Sequence, residues 1–200
     1  MESIELSLES SKEQSKKLAE KIYESYKYDL VIFIAKGSYT IGREIADYND
    51  VELIEIRATR KGNFLKEKLK NVLNILPKNI KDILRNIELN SNIHSKMSER
   101  KIIYDESVWE KFSDRKKIIL VDDSVDTGHS MKQCKESIEK FFKNSDVKLA
   151  SLNVFSKSEE VIKIDYYLYK DKLCKGPWSN DSKENNKFIK LYKKYKENYK

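Results

Sequence analysis

Short apolar runs alternate with amphipathic segments along the chain, which is typical of βαβ units and a parallel sheet. The run from Tyr28 to Ala35 (YDLVIFIA) is continuous, as expected for a strand that is buried on both faces of such a sheet. Further strands are predicted at 51–57, 117–122, 147–155 and 164–169. The pattern therefore predicts an α/β fold with a parallel sheet flanked by helices.

Between these strands, apolar residues recur at the spacing of a helix. Ser10–Glu13 has the pattern of a capping box, which predicts the start of the first helix. Two more helices are predicted at 39–48 and from Thr127-Gly128 through Phe142. A C-terminal helix, whose aromatic stripe we expect to pack on the core, carries Phe188, Tyr192, Tyr195 and Tyr199.

A long interruption separates the second predicted strand from the third. Two amphipathic segments with Pro77 between them predict a helical hairpin at about 63–90. We therefore predict a single domain over residues 1–180 with a helical insertion at 61–105. A basic helical tail is predicted over 181–200.

The composition favours a globular protein without a membrane partner. Of the 200 residues, 39% are hydrophobic and 36% are charged, and the formal net charge is +7. The longest apolar run, Leu30–Ala35, is far shorter than the roughly 20 residues that span a bilayer. The first ten residues do not resemble a signal peptide, and Cys134 and Cys174 are too few for a disulfide framework. We therefore expect a cytoplasmic protein.

The positive charge is concentrated in two segments, 60–101 and 183–200, which carry net charges of +7 and +5. The simplest interpretation is a lysine-rich, solvated helix surface. Nucleic acid is possible as a partner but is not favoured, although clustered lysines suit phosphate contacts. A third interpretation is a small polyanionic substrate that a positive rim attracts.

The most informative stretch is residues 118–130, IILVDDSVDTGHS. Four apolar residues predict a buried strand, and Asp122 and Asp123 follow where ligands bind in open α/β sheets. The next turn leads into a helix, and free N–H groups at such a turn favour phosphate. Gly128 lets the backbone close on the phosphate, and the hydroxyl groups of Thr127 and Ser130 can donate to it.

This stretch resembles the 5-phosphoribosyl-1-pyrophosphate (PRPP) motif of type I phosphoribosyltransferases. Ile34–Ser38 occupies the place of the family's pyrophosphate loop, which often carries a cis peptide bond. Asp165–Tyr167 and Pro177-Trp178 look like the closing segment of bacterial and archaeal purine phosphoribosyltransferases. The resemblance covers roughly residues 6–60 and 114–179, and it implies the phosphoribosyltransferase-type α/β fold.

The resemblance implies a Mg²⁺-dependent enzyme that transfers the phosphoribosyl group of PRPP to a nitrogenous base and releases pyrophosphate. The implied acceptor is purine-like, a 6-oxopurine such as hypoxanthine, guanine or xanthine. This activity belongs to nucleotide salvage. The alternative is a non-catalytic sensor of PRPP or a nucleotide on the same fold, which would bind nucleic acid through the two basic segments.

The resemblance also implies roles for individual residues. Asp126 would accept or steer the proton of the base, and Lys36 would stabilise the charge of the leaving group. Asp122 and Asp123 would hold the ribose hydroxyls and Mg²⁺. The 5-phosphate would be bound by Asp126, Thr127, Gly128, His129 and Ser130. The pyrophosphate would be bound by Lys36, Gly37, Ser38, Arg57 and Arg60.

The expected base pocket departs from the purine enzymes. Leu173 stands where they place an aromatic ring that stacks on the base, and Lys157 is the nearest match to the lysine that reads a 6-oxo group. Cys174 and Trp178 complete the candidate pocket, although Trp178 is more readily an anchor for the closing segment. The acceptor base therefore stays open.

The predicted hairpin lies where the family carries a mobile loop that closes over PRPP. An enlarged basic lid at 61–101 is one interpretation, since closure would exclude water from the activated ribose. A homodimer interface built from the hairpin's leucine and isoleucine stripe is the other.

Overall fold

The computed structural model describes residues 2–60 and 100–198, apart from the Arg60 side chain. The predicted hairpin at about 63–90 lies outside the described residues. The strands are β1 Ser3–Glu5, β2 Leu30–Ile34, β3 Glu52–Arg60, β4 Arg100–Ile103, β5 Lys117–Val125, β6 Asp146–Val154, β7 Tyr166–Lys170 and β8 Leu173–Lys175. The helices are α1 Leu8–Ser25, α2 Tyr39–Tyr48, α3 Glu106–Glu110, α4 His129–Phe141 and α5 Asn185–Asn198, with a short 3-10 helix at Ser156–Glu160.

The central sheet has six strands in the order β4-β3-β2-β5-β6-β7. All neighbouring strands are parallel except β4, which pairs antiparallel with β3 at one edge. This arrangement confirms the predicted α/β class and the parallel sheet. It also places the loops that follow β2, β5 and β6 side by side at the carboxyl edge, where open α/β sheets bind their ligands.

The central strands bury side chains on both faces of the sheet, which accounts for their continuous apolar sequences. In β2, Val31 and Phe33 pack in the layer that contains α1, α2 and α5. Leu30 and Ile32 point to the opposite layer, which contains α3 and α4. The sheet is therefore covered by helices on both faces.

The C-terminal helix packs on the core, as its aromatic stripe predicts. Phe188 is completely buried, and Tyr192 and Tyr195 are nearly so. Tyr195 contacts Phe33 of the central strand edge to face, with ring centroids 5.4 Å apart. The fourth member of the stripe, Tyr199, lies outside the described residues, and the boundary predicted at 180 stays a prediction.

The structure corrects the predicted start of α1. The capping box is formed by Ser7 and Ser10, three residues earlier than the Ser10–Glu13 pattern. The Ser7 hydroxyl accepts from the Ser10 amide at 3.0 Å, and the Ser10 hydroxyl accepts from the Ser7 amide at 2.9 Å. Serine therefore supplies the return bond that glutamate was expected to make.

Three short strands were not predicted. The first, β4, lies within the stretch expected to belong to the helical insertion at 61–105. The other two, β1 and β8, form a separate parallel pair that joins the start of the chain to the closing segment. No helix within residues 2–60 and 100–198 is long and apolar enough to cross a membrane.

Candidate functional site

A cavity of about 270 Å³ opens where β5 ends and α4 begins. Five of the nine residues that line it were expected as site residues, and the other four are Arg100, Ser124, Val125 and Met131. The predicted members are Asp122, Asp126, Thr127, Gly128 and Ser130. His129, although it lies in the same loop, is not among the lining residues.

The loop between β5 and α4 is built around Gly128. This residue precedes the first turn of α4 and has φ = 76°, a left-handed conformation that favours glycine. A Cβ at this position would lie 2.8 Å from Ile162 Cγ2 and 3.1 Å from the Ser158 carbonyl oxygen. The helix has no side-chain cap, so the N–H groups of its first turn have no side-chain acceptor at the cap position. Such a helix start attracts an anion.

Asp122 and Asp123 are adjacent acids at the end of the buried part of β5. The Asp123 amide donates to Asp122 Oδ1 at 2.9 Å. Burial, reinforced by the charge of Asp123, raises the pKa of Asp122 well above its ordinary value. Burial also raises the pKa of Asp123. Both acids would therefore be stabilised by a cation or by hydroxyl donors.

The two acids suit a magnesium ion that is coordinated partly by the protein and partly by a substrate. Within residues 2–60 and 100–198, no cluster of three or more histidine, cysteine, aspartate or glutamate side chains forms a metal site. Mg²⁺ commonly binds through only one or two carboxylates, with water and substrate phosphates completing its shell. Asp122 and Asp123 satisfy that smaller requirement.

Asp126 is exposed at the cavity and is connected to the interior through polar side chains. The Ser124 hydroxyl donates to Asp126 Oδ1 at 3.3 Å, and Asn153 Nδ2 donates to the Ser124 hydroxyl at 3.3 Å. Asn153 is completely buried in β6, and its Oδ1 accepts from the Lys172 amide at 3.2 Å. Sequence reasoning missed Asn153, although an asparagine within the apolar run of a strand was a visible signal.

The loop after β2 lies next to the acids of the neighbouring strand β5. Lys36 is exposed there, and the Ala35–Lys36 peptide bond is cis. A Cβ on Gly37 would lie 2.7 Å from Asp123 Oδ1, so glycine permits this close approach. Ser38 is buried, and its hydroxyl donates inward to the Ile34 carbonyl at 2.5 Å. Of the predicted pyrophosphate residues in this loop, Lys36 is therefore exposed, Gly37 is partly exposed and Ser38 is buried.

Arg57 is not among the residues that line the cavity at the start of α4. Its Nε donates to Glu55 Oε1 at 2.5 Å, and its Nη2 donates to the Tyr192 hydroxyl at 2.8 Å. It lines a separate cavity of about 550 Å³, which α3 and α5 also line. Glu55 pairs there with both Arg57 and Lys196, since Lys196 Nζ is 3.3 Å from Glu55 Oε2. The side chain of Arg60 lies outside the described residues.

The four residues expected at the base pocket have different environments. Lys157 is exposed in the 3-10 helix, and Leu173 is 45% exposed on β8. Burial and, secondarily, the charge of Asp123 raise the pKa of the Cys174 thiol. Trp178 is buried in the core with its ring against Gly176, which supports the anchor interpretation. Contact with a base stays a prediction for all four.

A family profile described as a phosphoribosyl transferase domain matches residues 6–184. The fold is also similar to a purine phosphoribosyltransferase from Pyrococcus horikoshii, with 19% identity, a TM-score of 0.58 and coverage of 91% of this chain and 97% of that chain. The xanthine-guanine-hypoxanthine phosphoribosyltransferase of Helicobacter pylori is 16% identical, with a TM-score of 0.58 and coverage of 92% and 97%. A hypothetical protein from Neisseria gonorrhoeae with bound ppGpp is 17% identical, with a TM-score of 0.62 and coverage of 96% and 97%. No curated protein sequence matches the chain significantly.

Proposed function

The chain belongs to the phosphoribosyl transferase family, and from that membership we propose that it transfers the phosphoribosyl group of PRPP to a 6-oxopurine, such as hypoxanthine, guanine or xanthine, and releases pyrophosphate. The observation that carries the proposal is the cavity at the start of α4. It combines carboxylates, hydroxyls and a glycine-based helix start at the carboxyl edge of a parallel sheet. This donor set suits a phosphorylated sugar.

The helix start would bind the 5-phosphate. The backbone N–H groups around Gly128 and the hydroxyls of Thr127 and Ser130 are donors at one wall of the cavity. The partial positive charge of the α4 amino terminus adds to their attraction for an anion. These groups position the ribose without taking part in bond breaking.

Asp122 and Asp123 would bind the other side of the ribose. Their carboxylates can accept from its hydroxyl groups, and they can hold Mg²⁺ together with phosphate oxygens of the substrate. Mg²⁺, when bound, supplies positive charge that stabilises a leaving pyrophosphate. Because a Cβ on Gly37 would lie only 2.7 Å from Asp123 Oδ1, the loop after β2 lies next to the same region.

Lys36 and the Gly37 backbone would bind the pyrophosphate. As the bond to the ribose C1 breaks, negative charge grows on the leaving group, and an ammonium held nearby stabilises that charge. Lys36 is exposed beside the acids, so a polyanion can reach it from solvent. This role is independent of the phosphate contacts at α4.

Asp126 would accept or steer the proton of the attacking base nitrogen. It lies at the cavity and is exposed, whereas Asp122 and Asp123 are partly buried. The bond from Ser124 orients one of its oxygens and leaves the other available to the base. The proton of the base would therefore pass to a carboxylate oxygen as the new bond to ribose forms.

The proposed function is tested by incubating the protein with PRPP, Mg²⁺ and a panel of purines and pyrimidines. Mass spectrometry identifies any nucleotide product, and pyrophosphate release is measured in parallel. Asp126→Asn should lower turnover by about 100-fold or more while PRPP affinity changes little. Asp114→Asn, at an exposed position that does not line the cavity, is the matched control.

Equal losses of turnover and PRPP affinity in Asp126→Asn would reject its role as a base. Tight PRPP binding with no product from any base would favour the sensor instead. The observation that favours the sensor is Leu173. It is an exposed aliphatic side chain at the position where the purine enzymes stack an aromatic ring. We also propose that the protein is cytoplasmic and that it forms a homodimer. Ultracentrifugation tests the homodimer.

A further inference from the structure

The edge strand β4, which the sequence did not predict, brings a positive charge to the cavity at the start of α4, here called the phosphate cavity. Among the described residues that line this cavity, Arg100 alone has a cationic side chain, and it shares the lining with Asp122 and Asp126. The sequence motif at 118–130 supplies hydroxyls, backbone N–H groups and acids but no lysine or arginine. Without Arg100, a phosphate monoester in this cavity would face the two carboxylates of Asp122 and Asp126 and no cationic side chain among the described lining residues.

The position of Arg100 is set by contacts of its backbone. Within the antiparallel ladder, Arg100 is paired with Arg60 of β3. The Arg100 amide also donates to Gln133 Oε1 at 2.7 Å, and Gln133 lies in the second turn of α4. The strand is therefore attached to the same helix whose amino terminus forms the phosphate-binding wall.

The side chain of Arg100 and that of its neighbour have different surroundings. The Nε atom of Arg100 is buried, whereas Lys101 is exposed. Successive residues of a strand point to opposite faces, so the two side chains leave β4 in different directions. Arg100 is among the residues that line the cavity, and Lys101 is not.

We propose that Arg100 binds the 5-phosphate of the ribosyl substrate. This inference rests on the proposed function and adds to it a residue outside the sequence motif. A guanidinium can form two parallel hydrogen bonds to phosphate oxygens, which backbone N–H groups and hydroxyls at the opposite wall would complement. Arg100 thus supplies the full charge that balances the phosphate, while Thr127 and Ser130 give directional hydrogen bonds.

The test compares Arg100→Gln with Lys101→Gln, which removes the same charge from the adjacent residue. Isothermal titration calorimetry measures the affinities of ribose 5-phosphate, PRPP and inorganic pyrophosphate for each protein. Arg100→Gln should weaken ribose 5-phosphate and PRPP by about 10- to 100-fold, since a charged hydrogen bond is lost. Its affinity for pyrophosphate should not change, and Lys101→Gln should bind all three as the unaltered protein does.

Each other outcome has a defined meaning. An unaltered protein that binds neither PRPP nor ribose 5-phosphate would reject the proposed function itself. If the unaltered protein binds both and Arg100→Gln binds them equally well, only the role of Arg100 is rejected. A loss confined to pyrophosphate, or an equal loss in Lys101→Gln, also overturns that role.

Arg100→Lys keeps the charge and serves as the second variant if Arg100→Gln fails to fold. It should bind ribose 5-phosphate more weakly than the unaltered protein, because a single ammonium replaces the planar fork. Its affinity for pyrophosphate should again stay unchanged. Unchanged affinity for ribose 5-phosphate in Arg100→Lys, with Arg100→Gln unfolded, would contradict the inference.

Discussion

Asp122 shows how one residue of the site affects stability as well as binding. Its pKa lies above the ordinary value of 3.8 because of burial and the adjacent charge of Asp123. A raised pKa in the folded state means that folding favours the neutral, protonated form. The ionised form present above that pKa therefore lowers stability, and this penalty disappears as the pH falls to the unfolded-state value.

We expect Asp122→Asn to raise the melting temperature at neutral pH by about 2 to 4 °C. The amide removes the buried charge, and its oxygen can still accept from the Asp123 amide. Thermal unfolding measured from acidic to neutral pH should show the gain shrinking towards zero near pH 3.8. Asp114→Asn should show no such gain, and a gain in Asp122→Asn that grows on acidification would contradict the assignment.

The residues of the α4 cavity that the sequence predicted lie close together in the chain. Asp122, Asp126 and Gly128 belong to one strand, turn and helix start, so their spacing alone indicates a shared site. Arg100 reaches the same cavity through antiparallel pairing at the sheet edge, which no local spacing encodes. Asn153 likewise depends on the register between β5 and β6.

At the scale of elements, α5 is held by its aromatic face. The side chain of Phe188 is completely buried, whereas that of Lys190, two residues later, is exposed. Truncating a buried aromatic side chain removes its transfer free energy and leaves a cavity. The same truncation at an exposed lysine removes little packing.

Phe188→Ala should therefore lower the free energy of unfolding by about 3 to 5 kcal/mol. Lys190→Ala should change it by less than about 0.5 kcal/mol. Urea unfolding, followed by circular dichroism, measures both. Similar small changes in the two variants would mean that α5 contributes little to the folded core.

The elements that were predicted and those that were missed differ in burial. All five residues of β2 are buried, so its apolar run identified it directly. The strands β1, β4 and β8 have three or four residues, and none of these residues is fully buried. Their pairing is determined by partners elsewhere in the chain, and short polar sequences do not reveal it.

At the scale of the whole molecule, the net charge of +7 affects the approach of the substrate. PRPP is a polyanion, so a positive protein should attract it over distances comparable to the Debye length. We expect kcat/KM for PRPP to fall severalfold as ionic strength rises from about 0.05 M to about 0.3 M, while kcat changes little. Steady-state kinetics at several salt concentrations measures both, and a constant kcat/KM would exclude long-range attraction.

The parallel pair of β1 and β8 has a consequence for the order in which the protein is made. Ser3 and Leu173 are partners in this pair although 170 positions separate them in the chain. On the ribosome, β1 must wait for its partner until the 170 residues that follow Ser3 have been synthesised. The half of the site expected to bind phosphate, at β5 and the start of α4, is translated before β8. The closing segment with Leu173 can therefore take its place only after β5 and α4 have been made, so the side of the site expected to hold the base is completed after the side expected to hold the phosphate.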